Sequence, residues 1–190
     1  FFVQSQNEVI SQNTLDLVLK NYKPSIRHID LRQNQLSSIP ELCEILDEVV
    51  LYEDYVTASS TWSTTGWQKI NKQHTVEDVR SISLADNDLE DIDTDWSCFT
   101  NIRQFDISYN DISSFDEIAT FPTLRKINAK KNKLSNLNWL QGFTGLQFIE
   151  VWYNDIDDIS AISWLTTIVK FSAPHNNIDT LEPLKNLENL

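Results

Sequence analysis

Ile127-Asn128-Ala129-Lys130-Lys131-Asn132-Lys133-Leu134 reads apolar-x-apolar-x-x-Asn-x-apolar, and that phrase returns along the chain in step. Upstream stand Ile82-x-Leu84-x-x-Asn87-x-Leu89 and Phe105-x-Ile107-x-x-Asn110-x-Ile112. Downstream stand Ile149-x-Val151-x-x-Asn154-x-Ile156 and Phe171-x-Ala173-x-x-Asn176-x-Ile178. The Asn spacings are 110−87 = 23, then 132−110 = 22, 154−132 = 22 and 176−154 = 22. A further copy, Ile29-x-Leu31-x-x-Asn34-x-Leu36, lies nearer the start. Repetition at a period of roughly 20–29 residues is the mark of a solenoid in which each turn buries its apolar face against the next.

Alternate apolar residues on a short strand point the same way, so each phrase supplies one rung with a pair of core side chains. The Asn then sits where the chain turns. Its amide both donates and accepts, and it can satisfy backbone groups of neighbouring turns that would cost ~1–3 kcal/mol each if buried unpaired. Further apolar slots follow at five, eight, eleven and fourteen residues, as Phe115, Ile118, Phe121 and Leu124 or Ile159, Ile162, Leu165 and Ile168. These line a convex return that is extended or one-turn helical.

Upstream, the pattern is looser. Val49-x-Leu51-x-x-Asp54-x-Val56 matches with Asp in the ladder slot, and a rung there is preferred to a single amphipathic helix from Glu41 to Tyr55. Asn7 is the ladder residue of a longer opening repeat with a true helix through Leu15, Val18 and Leu19. Between about residues 59 and 79 the register is lost, in an irregular insertion that carries Trp62 and Trp67. The expectation is one domain over residues 1–190, an α/β solenoid with right-handed coils, a parallel concave sheet, and short helices, turns and extended segments on its convex face. With no Met and no polar cap at either end, the chain reads as a piece of a longer protein or complex.

The five downstream copies resemble the 22-residue class of leucine-rich repeats. The ending Ile178-Asp179-Thr180-Leu181-Glu182-Pro183-Leu184-Lys185-Asn186-Leu187 is typical of that class. The class includes the type-1 phosphatase regulatory repeat protein, axonemal dynein-associated repeat proteins, acidic nuclear phosphoproteins and bacterial internalins. The resemblance is strong from about Arg80 to Leu190 and loose before Val56. It implies a binding module that takes a protein partner on the concave strand face; which partner does not follow from slot residues that the whole class shares.

Outward-facing side chains form columns across the rungs. Two places before the ladder residue stand Ala85, Ser108, Lys130, Trp152 and Pro174; one place before stand Asp86, Tyr109, Lys131, Tyr153 and His175. Basic residues concentrate at Arg125, Lys126, Lys130, Lys131 and Lys133, beside Phe148, Trp152 and Tyr153. Aromatic residues beside cations on a rigid surface are the usual ingredients of interaction hot spots. Tyr109, Lys130, Lys131, Phe148, Trp152 and Tyr153 are therefore the candidate partner-binding residues. The plainer alternative is a solvated Lys130–Trp152 cation–π pair worth ~0.5–1 kcal/mol.

Other chemistry finds little support. The formal charge is 15 − 28 = −13, which disfavours general nucleic-acid or anionic-membrane binding, and no stretch approaches a membrane span. An RNA or acidic tail held by the Lys126–Lys133 stretch is a further reading. The run Asp91-x-Asp93-x-Asp95 has Trp96 where a calcium loop needs Gly. His28, His74 and His175 are scattered, and three glycines make no phosphate loop, so no enzyme activity, cofactor or metal is expected. Cys43 and Cys98 have no framework spacing, which points to a reducing compartment (cytoplasm, cytoskeleton or nucleus), though a single bridge is compatible with them. A surface or secreted internalin-like adhesin is the alternative to an intracellular scaffold.

Overall fold

The computed structural model describes residues 28–39, 42–43, 51–54, 71–74, 79–115 and 121–190. In chain order its strands are β1 (His28–Asp30), β2 (Leu51–Asp54), β3 (Asn71–His74), β4 (Ser81–Ser83), β5 (Gln104–Asp106), β6 (Lys126–Asn128), β7 (Phe148–Glu150) and β8 (Lys170–Ser172). Six of them form one parallel sheet in the order β1-β4-β5-β6-β7-β8. The register places Ile29, Ile82, Phe105, Ile127, Ile149 and Phe171 side by side, the first apolar position of every ladder phrase.

Each rung is tied to the next by the same bonds. The second apolar residue donates across: Leu84 N to Asp106 O (2.7 Å), Ile107 N to Asn128 O (2.9 Å), Ala129 N to Glu150 O (2.8 Å) and Val151 N to Ser172 O (2.8 Å). The ladder Asn then completes the turn. Asn110 accepts the Leu89 N–H and donates to the carbonyls of Leu84 and Ile107. Asn132 accepts from Ile112 and donates to Ile107 and Ala129, and Asn154 accepts from Leu134 and donates to Ala129 and Val151. Neighbouring amides thus share carbonyls. Asn34, Asn87, Asn110, Asn132 and Asn154 are all buried, and their amides are hydrogen-bonded as burial requires.

On the convex side the apolar slots recur every three residues, which is the period of a 3-10 helix, where residues i and i+3 eclipse. The chain accordingly forms 3-10 turns at Asn138–Gly142, Ser160–Trp164 and Glu182–Leu184. Leu137, Leu140, Phe143 and Leu146 are buried in one rung, and Ile159, Ile162, Leu165 and Ile168 in the next. Where one rung is a residue longer, Trp96 fills the space, with its ring against the edges of Phe105 (5.3 Å) and Phe121 (5.7 Å). Ile118 lies outside the described residues. No helix among the described residues is long and apolar enough to cross a membrane.

One expectation fails here. The rung at Asp54 does not join the ladder: β1 pairs directly with β4, and Leu51–Asp54 instead pairs antiparallel with Asn71–His74. That strand also excludes one helix from Glu41 to Tyr55. A carboxylate accepts hydrogen bonds but has no N–H to give to the rung carbonyls, so Asp54 lacks half of what a ladder residue does. The cysteines take the single bridge that their spacing left open. Cys43 and Cys98 form a disulfide across a sequence separation of 55 residues. With the Asp54 rung removed, both lie on the convex side of adjacent rungs, nine residues after Asn34 and eleven after Asn87. The Asn7 repeat and Trp62 and Trp67 lie outside the described residues.

Candidate functional site

Every residue immediately before a ladder Asn is held in the left-handed backbone region. Gln33, Asp86, Tyr109, Lys131, Tyr153 and His175 all have φ between 53° and 59°. The ladder enforces this, because the same residue must also donate its N–H to the next rung: Tyr109 N to Lys130 O, Lys131 N to Trp152 O and Tyr153 N to Pro174 O. Side chains other than Gly or Asn are disfavoured there by ~1–2 kcal/mol each. Tyr, Lys, Tyr and His occupy the four consecutive positions all the same.

The constrained backbone lines these side chains up. The Lys131 ammonium lies 4.7 Å from the Tyr109 ring centroid and 5.5 Å from that of Tyr153. The other face of the column continues with His175 stacked on Tyr153 at 4.0 Å and 14° between planes. Lys130 makes a parallel set in the adjoining column, 5.4 Å from Tyr109 and 5.2 Å from Trp152, and the Trp152 and Tyr153 rings lie 5.4 Å apart. Tyr109 is 40% and Tyr153 44% exposed, while Lys130 and Trp152 are half-buried between their neighbours.

Five of the six candidate residues therefore meet in one cluster. Phe148 does not. It opens β7 beside Lys126 and Lys170, four positions before Trp152 along the strand and roughly 13 Å away at the rise of an extended chain. It is 38% exposed, at the far margin of the concave face. His175 belongs to the cluster instead. It stands in the same column as Tyr109, Lys131 and Tyr153, a placement already legible from its position one residue before Asn176.

Charges beside the cluster are arranged unequally. Lys133 pairs with Asp111 (2.9 Å), which raises its pKa through that hydrogen bond, and Lys170 pairs with Glu150 (3.2 Å). Lys126, Lys130 and Lys131 have no carboxylate within ion-pairing distance among the described residues. A shallow hollow borders the cluster on the acidic side, lined by Arg32, Asp86, Asp106, Ser108, Tyr109 and Lys130. Its floor is fixed: Asp106 accepts from the Ser108 N–H (3.0 Å) and hydroxyl (2.7 Å), and Asn128 donates to that hydroxyl (3.4 Å). In the acidic run, Asp91 and Asp95 accept the N–H groups of Asp93 and Ser97 (3.1 and 2.8 Å), and the latter bond holds Asp95 below the usual carboxylate range.

No protein-family model and no curated protein matches the chain. Solved structures do. An internalin (inlF) from Listeria monocytogenes is 28% identical over 60% of this chain and 33% of its own, with a TM-score of 0.53. The chain has the leucine-rich-repeat fold. Internalin C2 (inlC2) of the same organism, 19% identical, superposes over 95% of this chain and 72% of its own with a TM-score of 0.59. A leucine-rich-repeat protein of Leptospira interrogans, 17% identical, covers 95% of this chain and 50% of its own at 0.56. The leucine-rich-repeat chain described here thus spans a third of the length of the internalin inlF chain.

Proposed function

We propose that this leucine-rich-repeat domain is a non-catalytic interaction module that docks a protein partner on its concave face, centred on Tyr109, Lys130, Lys131, Trp152 and Tyr153, with His175 extending the site. The observation that carries this is the left-handed column. Large side chains stand at four successive positions where the backbone favours Gly or Asn, and they serve no core. The ladder fixes the backbone there, but not the choice of large side chains over Gly or Asn, and that choice is a reason to look for binding. Tyr and Trp also bring contact area at little cost in rotamer freedom.

The test is Trp152→Ala with Tyr153→Ala. Neither side chain fills the core, so circular dichroism stays unchanged while the partner captured by the wild-type protein is lost. An unchanged set of captured partners removes the site from consideration.

For location there are two readings. The expected one is an intracellular scaffold in the cytoplasm, cytoskeleton or nucleus. The Cys43–Cys98 bond favours the other, a surface or secreted adhesin, because disulfides persist in oxidising compartments. The 28% identity to an internalin points the same way. Alkylation of the protein taken from its native source, without added reductant, separates them. Blocked cysteines support export, and two labelled thiols support the intracellular scaffold.

A further inference from the structure

The docked segment can be given a chemistry. We propose that the Lys130–Lys131 cluster receives an acidic protein segment, one whose carboxylates alternate with aromatic or apolar side chains; this rests on the concave-face reading above. The chain carries a formal charge of −13, yet Lys130 and Lys131 stand on its concave face with no carboxylate within ion-pairing distance among the described residues. Neighbouring lysines that could have been left in the same state, Lys133 and Lys170, are instead neutralised by Asp111 and Glu150. Local positive charge therefore remains on two adjacent positions of one rung.

The aromatic rings do not take the place of a counter-ion. Each ammonium lies within 5.5 Å of two ring centroids, Tyr109 and Trp152 for Lys130, Tyr109 and Tyr153 for Lys131. Exposed contacts of that kind are weak. What they do is hold two long, flexible side chains in place, so that less freedom is lost when an acceptor arrives. Tyr109 and Tyr153 stay 40% and 44% exposed and offer ring surface on either side of the ammonium pair. A ligand that satisfies both features must present carboxylates and apolar groups in alternation, as an extended peptide does.

The extent of the patch selects protein over nucleic acid. Asp106 and Asp86 bound it on one side, and Glu150 lies on the next rung. Rungs of a sheet are ~4.8 Å apart, so the positive island covers about 10 Å. That is enough for two or three carboxylates, whereas a phosphate backbone would run on into the acids.

Fluorescence anisotropy with labelled peptides tests this on the whole chain. A peptide of alternating Glu and Tyr should bind, more weakly as salt rises from about 0.05 to about 0.5 M, since the Debye length shortens across that range. The same peptide with Gln for Glu should bind at least ~tenfold more weakly, and Lys130→Glu with Lys131→Glu should cost the Glu peptide a similar factor. Lys185→Glu, at the cap of the last 3-10 turn, should change nothing. The proposal is overturned if the Glu peptide fails to bind, if the Gln peptide binds equally well, if Lys185→Glu weakens binding as much, or if a single-stranded oligonucleotide of matching charge binds more tightly. Partner capture that survives the Lys130 and Lys131 reversals but not Trp152→Ala with Tyr153→Ala would leave the docking site standing and its acidic ligand refuted. Capture indifferent to both would refute the docking site itself.

Discussion

Replacing Asn132 by Ala removes four hydrogen bonds, one of them a long 3.4 Å contact to the Lys130 carbonyl, from a slot that is only 8% exposed. The losses are unequal. The carbonyls of Ile107 and Ala129 each keep a second ladder amide, from Asn110 and Asn154, so neither is orphaned. The Ile112 N–H, on a fully buried residue, bonds to Asn132 Oδ1 at 3.0 Å and is left with no acceptor. An unsatisfied buried donor costs ~1–3 kcal/mol, and the emptied side-chain volume adds about 1 kcal/mol more. Asn132→Ala should therefore lose about 2–4 kcal/mol, read as a lower urea midpoint at unchanged slope. Asn132→Asp keeps the acceptor but turns a second oxygen toward two carbonyls. It should be worse than Asn132→Ala at neutral pH and recover in acid, where the protonated carboxyl can donate. Asn176 sits on the last rung and is only half-buried, so Asn176→Ala should cost less, about 1 kcal/mol. A loss below about 1 kcal/mol for Asn132→Ala, or an Asp variant as stable as the Ala variant at neutral pH, would refute the two-sided account of the ladder.

Reduction of Cys43–Cys98, or Cys43→Ser with Cys98→Ser, frees a loop whose ends are 55 residues apart. Chain entropy sets that at about 4 kcal/mol, to be checked by chemical denaturation with and without reductant. Lys131→Gly relieves the left-handed backbone and should be neutral or slightly stabilising, whereas Lys131→Val should lose about 1–2 kcal/mol; thermal melts of both variants read the difference. The Ser160 backbone N–H and hydroxyl hold the Asp158 carboxyl below its ordinary pKa. A depressed carboxylate contributes stability above its unfolded value and loses it as pH falls through the folded one. The destabilisation caused by Asp158→Ala should therefore shrink below about pH 4, and a constant deficit down to strong acid would contradict the assignment.

The regular part of the fold was open to reading because its requirements repeat. Each rung needs two inward apolar residues and one amide that can both give and take a hydrogen bond, and few sequences meet that condition by chance at 22-residue intervals. The Asp54 error came from counting a carboxylate as equivalent to an amide. Cys43 and Cys98 fall on neighbouring rungs only once β1 is set beside β4, a pairing that their linear spacing does not reveal. Five of the six candidate residues lie together because a column in the sequence is a column in space. Phe148 was grouped with Trp152 by closeness in sequence, although four steps along an extended strand separate them. His175 shares the column but lies beyond the basic stretch and its nearest aromatic neighbours, so the pairing of cations with rings in the sequence does not single it out.

Strands β1 and β4 lie 53 residues apart, by 81 − 28, yet they align as closely as strands separated by a single period. Adjacent coils need not be consecutive in the chain: a large excursion can leave one coil and return to the next without disturbing the alignment. The connection between Cys43 and β4 is therefore a natural graft point, where a foreign module could be spliced in and carried sideways while the gripping strip of Tyr109, Lys131 and Tyr153 keeps its spacing.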